Sequence, residues 1–256
     1  MELSPPEAVP LRLWSLHQLQ PVGAEVVIDL DRDWPAQRVL DVVRGGGFTL
    51  LESTGRGRWW RVTVRRERTL ADTVGAGMRL LCVGLNPSLY AADAGVGFAR
   101  PGNRFWRAML EAGLVASARD PLAALVDHGI GMTDLVKRAT VRADELTTIE
   151  YDEGLSRVDR LASWLRPAAV CIIGLDGWRK VVDRRATPGW QQRNVGGRPA
   201  YLMPNPSGLN AHVRVTDLAD HFRAAFRPPP DDPPGPADPR SAPAPRPGPP
   251  RSWPGS

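Results

Sequence analysis

A three-layer α/β/α fold around a central, mostly parallel sheet is predicted by three observations in this 256-residue chain. Apolar runs at 79–85, 168–174 and 200–203 are continuous rather than alternating, the pattern of strands covered on both faces. Helical patterns separate them, so the order is strand, loop, helix, repeated. Two of the runs break into the same tripeptide, Asn86-Pro87-Ser88 and Asn205-Pro206-Ser207, at the strand ends where open α/β sheets place their ligands. Before this 76–226 region the pattern predicts a small β-α-β-β module over 1–75, and after it a disordered Pro-rich tail over 227–256.

In the module, 25–30 reads as a strand, 35–44 as a helix, and 48–52 and 59–65 as two further strands. Trp34-Pro35 suits a helix start and Gly45-Gly46-Gly47 its end. The turn Ser53-Thr54-Gly55-Arg56-Gly57 joins the last two strands as a hairpin. Arg56, Arg58, Arg61, Arg65, Arg66 and Arg68 gather positive charge there, either to lie along phosphates or as a solvated charged face. After the strand at 79–85 comes a helix at 103–113, with Phe105, Trp106, Met109 and Leu110 on one face and Gly113 at its end. A helix at 155–165, the strand at 168–174, a helix at 176–184, the strand at 200–203 and a helix at 216–226 follow. Thirteen of the 26 prolines fall in the last thirty residues, a composition that buries too little apolar surface to offset its ordering entropy.

Composition narrows the chemistry. All but Lys137 and Lys180 of the 33 basic residues are arginine, which suits phosphates and planar bases, although a GC-rich genome produces the same bias. A net charge of +5 fits a nucleic-acid partner without requiring one. Cys82 and Cys171 sit inside apolar runs and read as core residues. His17, His128, His212 and His221 lack metal-ligand spacing, so neither a metal nor a cofactor is expected. Phosphate-loop, dinucleotide and nucleophile-elbow motifs are missing from the sequence. It has no secretory apolar segment and no apolar stretch approaching 18 residues, which predicts a cytoplasmic protein without membrane contact.

A catalyst built from these residues must act by positioning. An asparagine on a rigid strand end can hold a water by its side-chain oxygen, and Pro87 bends the chain to aim neighbouring backbone groups inward. Equally, Asn-Pro is a good turn starter; its recurrence at a second strand end favours a shared site. Gly84-Leu85-Asn86-Pro87-Ser88, the segment from Gly95 through Phe98 and Pro101-Gly102-Asn103-Arg104 to Trp106, Gly131-Met132-Thr133-Asp134-Leu135-Val136, and Pro204-Asn205-Pro206-Ser207-Gly208-Leu209 occur in this order. Together they resemble the mismatch-specific uracil/thymine DNA glycosylases, the Mug/TDG branch of the uracil-DNA glycosylase superfamily, over roughly 78–226.

The resemblance implies a monomeric base-excision repair enzyme that flips a base out of double-stranded DNA and hydrolyses its N-glycosidic bond. Asn86 would orient the attacking water. Gly84, Leu85, Pro87, Ser88, Phe98 and Asn205 would bind the base, which stacks on Phe98. Pro206, Ser207, Gly208, Leu209, Asn210 and His212 would form the intercalating loop, with Leu209 filling the gap left by the extruded base. Ala91 and Asp134 are candidate accessory residues. Asp134 stands where bacterial relatives carry a lysine, either as an additional acid or as a cap on a helical turn at Leu135. Ser88, where the family has glycine, would bond to base or water or only stabilise the turn. His212 replaces the arginine of the bacterial loop, or is simply a solvent-facing loop residue. Without a carboxylate beside Asn86 to polarise the water a slow enzyme is expected, and since neither lysine is placed for a Schiff base, a monofunctional glycosylase. The competing reading is a DNA-binding scaffold with a degenerate glycosylase fold, the module and tail recruiting other repair proteins.

Overall fold

The computed structural model describes residues 5–208 and 213–229. The expected tail from 230 onward, and Leu209, Asn210 and His212 of the expected wedge loop, lie outside the described residues.

Ahead of the expected elements lies a further helix, α1 (Val9–Leu19), whose Leu13 and His17 are buried. Strand β1 (Glu25–Asp31), helix α2 (Ala36–Gly45), and strands β2 (Phe48–Arg56) and β3 (Trp59–Arg66) follow. The three strands form an antiparallel sheet in the order β1-β3-β2. Arg56 pairs with Trp59, so the hairpin turns on two residues rather than on the five expected, with Gly57 at φ +60° supplying the left-handed step. Val62 and Val64 of β3, Phe48, and Val39, Val42 and Val43 of α2 make a small core.

Several of the hairpin arginines are engaged within the protein. Arg61 makes two 2.9 Å hydrogen bonds to Asp29 across the strands, Arg65 faces Glu67 at 3.5 Å, and Arg68 donates to Asp93. Arg66 Nε donates to the His17 carbonyl, and Arg58 stacks on Trp59. Three of these six arginines, Arg61, Arg65 and Arg68, are matched by acids.

The second sheet consists of β4 (Leu80–Gly84), β5 (Ile130–Asp134), β6 (Ala169–Ile173), β7 (Gly189–Trp190) and β8 (Ala200–Met203). Their order is β5-β4-β6-β8-β7, parallel throughout except for the short edge strand β7. Alternate residues point to opposite layers. Leu81, Val83, Val170 and Ile172 pack towards α6 (Thr148–Leu165) and α7 (Asp176–Val181). Leu80, Cys82, Ala169 and Cys171 pack towards α4 (Phe105–Glu111), α5 (Pro121–His128) and α8 (Val215–Ala225). Both cysteines are core residues; burial pushes the Cys82 thiol up to about 12, which makes it inert.

The expected α/β/α layering is observed, with helices α3 (Leu89–Ala94) and α5 and strands β5 and β7 added in the larger unit. Strand β5 was not evident as a strand because its sequence, Ile-Gly-Met-Thr-Asp, mixes apolar and polar residues even though every position is buried. Helix α6 starts seven residues before the expected position, where Thr147 and Glu150 cap each other reciprocally. From β4 the chain crosses to β5 on one side and then returns past β4 to β6 on the other. The carboxyl ends of β4, β5, β6 and β8 therefore meet at a topological switch point.

Candidate active site

Four chain segments converge at that edge. Beyond β4 the chain is fastened to the segment after β5, because Leu135 N donates to the Gly84 carbonyl at 2.8 Å and Val136 N to the Leu85 carbonyl at 2.9 Å. Asn86 comes next. Its Nδ2 lies 2.8 Å from Thr140 Oγ1, 3.0 Å from the Arg138 carbonyl and 3.2 Å from the Pro87 carbonyl. Two of these three are carbonyl acceptors, so only the NH₂ end of the amide can face them, and the orientation of the side chain is fixed by chemistry. Oδ1 then points away from this cage as an acceptor.

Gly84 explains how the pocket closes. Gly84 pairs with Asp134 across the β4–β5 ladder, and a Cβ on it would clash with Asp134 Oδ1 and lie 3.2 Å from Phe98 Cζ. A missing side chain therefore lets a carboxylate and an aromatic ring meet. Phe98 is at φ 58°, a costly backbone for a bulky residue. It is held there by stacking on Phe105, with centroids 4.0 Å apart and planes within 7°, and by the neighbouring Gly97 carbonyl, which accepts from Trp106 Nε1 at 2.9 Å. Phe105 covers one face of the ring, and Phe98 is only half-buried. Phe98, Thr133, Asp134 and Gly97 line one small cavity of about 20 Å³.

Asp134 ends β5, and no helical turn follows it, so the capping role is excluded. Its side chain is 8% exposed. Burial pushes its carboxyl up to about 6; Lys137 and Arg157 oppose this, and the charge of Asp72 adds to it. Behind it lies a buried ionic cluster. Asp72 accepts from Lys137 Nζ at 2.7 Å, Thr133 Oγ1 at 2.6 Å and Arg157 Nη1 at 2.7 Å. Arg157 Nη2 also donates to Thr133 Oγ1 and to the Asp134 carbonyl, both at 2.7 Å. Burial alone would raise the Asp72 carboxyl, but Arg157 and Lys137 outweigh it and hold it below the usual carboxylate range.

The second Asn-Pro-Ser follows β8. Asn205 Oδ1 accepts from Ser207 N at 2.9 Å, an Asx-turn, so this side chain shapes the loop and sits on its exposed side. Pro206 is buried, Ser207 is half-buried, and Gly208 lies so close to Gly102 that a Cβ would stand 2.8 Å from its carbonyl oxygen. Three other expected site residues serve the framework. Leu85 packs on the core layer of α6 and α7, Ser88 Oγ caps helix α3 (Leu89–Ala94) by accepting from Ala91 N at 3.2 Å, and Ala91 is buried with that N–H consumed. The structure thus unites Gly84, Phe98 and Asp134, places Asn86 two residues past the end of β4, and leaves Ala91 out of the cavity lining.

Sequence reasoning missed Thr140, Arg104, Asp72, Lys137 and Arg157. Lys137 alone carried a signal, as one of two lysines in an arginine-dominated chain.

The sequence profile of the uracil DNA glycosylase superfamily matches residues 72–227. The chain belongs to the uracil DNA glycosylase superfamily. Among solved structures, an NMR structure from Methanosarcina acetivorans, provisionally described as a uracil DNA glycosylase, aligns at 20% identity over 62% of this chain and 96% of its own, with a TM-score of 0.45. The superfamily region begins at Asp72, so its first residue is already part of the ionic cluster behind Asp134. Thr73 next to it exchanges backbone hydrogen bonds with Met132 of β5, which places 72–75 with the glycosylase fold rather than with the expected 1–75 module.

Proposed function

We propose that this superfamily member is a monofunctional, mismatch-directed glycosylase of the Mug/TDG type, removing uracil opposite guanine from double-stranded DNA. The observation that carries the reading is the caged amide of Asn86. With Nδ2 held by protein acceptors, Oδ1 is presented as a fixed acceptor that can hold a water without first having to be oriented. The water oxygen bonds to C1′ as the C1′–N bond breaks, the electron pair leaves on the base, and the proton the water sheds reaches that base through solvent. The flipped base stacks on Phe98 within reach of Asp134. A carboxyl titrating near 6 is partly protonated close to neutrality and can donate to a base carbonyl as well as accept from a ring N–H. Lys137 is committed to Asp72 and Lys180 lies against Tyr151, which supports hydrolysis without a Schiff-base step.

Single-turnover cleavage of G·U, A·U and G·T duplexes and of single-stranded uracil tests the proposal, with alkali opening of the abasic site as readout. G·U is expected to be cleaved fastest, and Asn86→Ala is expected to lower that rate by roughly a hundredfold or more while duplex binding persists. No cleavage of any uracil substrate, or equal rates for wild type and Asn86→Ala, would refute it.

A further inference from the structure

We infer that Arg104 is a positioning residue that ties the chain leaving β8 to the chain entering α8 beside the stacking ring, and that it does so by holding Pro206, Ser207 and Val213 at once. The loop leaves β8 through Pro206 and Ser207 and rejoins the described chain at Val213, two residues before α8. The Arg104 guanidinium donates to a carbonyl on each side of the gap. Nη2 lies 2.7 Å from the Ser207 carbonyl, Nε lies 3.4 Å from the Pro206 carbonyl, and Nη1 donates to the Val213 carbonyl. Its own backbone N–H donates to the Pro206 carbonyl at 2.9 Å. One side chain therefore closes a loop whose ends are six residues apart, and only a planar fork of donors can reach carbonyls on two strands of chain in this way.

The residue after Arg104 gives the clamp its function. Phe105 carries Phe98 on its face at 4.0 Å. Consecutive residues at the start of α4 thus grip the loop on one side and the stacking ring on the other, and Gly102, just before them, abuts Gly208. Displacing Arg104 would free Pro206, Ser207 and Val213 from the residues that carry the stacking ring without touching Asn86 or its cage. The inference rests on the glycosylase reading for its functional consequence, but not for the clamp itself.

Arg104→Ala and Arg104→Lys in the full chain test it by two independent readouts. Amide exchange at Ser207 and at residue 104 is expected to rise about tenfold in both variants, the loss expected for one charge-assisted hydrogen bond, with the β4 and β6 amides unchanged. In single-turnover assays, both variants are expected to lose about tenfold on uracil opposite guanine, and less than about twofold on uracil in an unpaired loop, where no partner base must be displaced. Unchanged exchange at Ser207, full rescue by lysine, or equal losses on paired and unpaired uracil would each overturn the inference. If the wild type cleaves neither substrate, the glycosylase reading fails, while the clamp is still decided by the exchange measurement.

Discussion

Replacing Asp134 with asparagine should make the protein more stable at neutral pH. The carboxyl titrates at about 6 in the folded state against about 4 in an unfolded chain. The folded state therefore binds more protons than the unfolded state between these values, and stability falls as pH rises through that window. Two units correspond to about 3 kcal/mol, lost in full above pH 6 and absent below pH 4. Asparagine has the shape of the protonated acid and no charge, so Asp134→Asn should gain up to about 3 kcal/mol at pH 7.5 and almost nothing at pH 4. Urea unfolding of wild type and variant at both pH values, with equal m-values, measures the difference directly. A variant no more stable at pH 7.5, or a gain of the same size at both pH values, would refute the claim that an ionised Asp134 is buried at the protein's expense. The same variant should lower cleavage, the usual trade between stability and a destabilising active-site group.

Thr140→Val keeps the shape of the side chain but removes an acceptor from Asn86, and should slow G·U cleavage about fivefold to tenfold with little change in duplex affinity, as read by single-turnover kinetics and a binding titration. Gly84→Ala drives a methyl into Asp134 and Phe98 and should cost about 1–3 kcal/mol in urea unfolding while weakening cleavage. His17 behaves oppositely to Asp134. Burial, with help from Arg66, lowers its pKa to about 4, so the folded state resists the proton that the unfolded state accepts below 6.5. That contribution, roughly 3 kcal/mol, is present above pH 6.5 and lost as pH falls towards 4; in His17→Gln the loss should disappear from a pH series of unfolding curves.

The parts of the fold that were legible in the sequence were those in which one physical requirement dominates. Strands β4 and β6 must be apolar on both faces, so their runs stood out, as did the Asn-Pro-Ser breaks after β4 and β8. Strand β5 was hidden because Thr133 and Asp134 are buried for their polarity, one relaying hydrogen bonds between Asp72 and Arg157 and the other entering the pocket. Asn86 and Phe98 were legible because each is unusual for its local setting. Arg104 was not, being one of 31 arginines whose importance depends on carbonyls about a hundred residues away.

The ionic cluster also ties the N-terminal unit to the site. Gly45, the last residue of α2, accepts from Asp72 N at 2.7 Å, and a Cβ there would stand 2.5 Å from Asp72 Oδ2 and 3.2 Å from Arg157 Nη1. The end of α2 therefore forms part of the lid that keeps water from Asp72, Lys137 and Arg157. Trp34 against Trp164 and Arg160 on Asp41 hold that lid to α6, the helix that carries Arg157. Fixed neighbours and excluded water are what keep the Asp72 ion pairs strong and the Asp134 carboxyl raised. The small unit thus abuts the ionic cluster from behind the sheet. Lifting α2 would hydrate Asp72 and weaken its ion pairs with Lys137 and Arg157. Of the two roles open to this unit in the sequence, a phosphate ridge or a solvated face, the charge pairing favours the solvated face, and its contact with the site runs through Gly45.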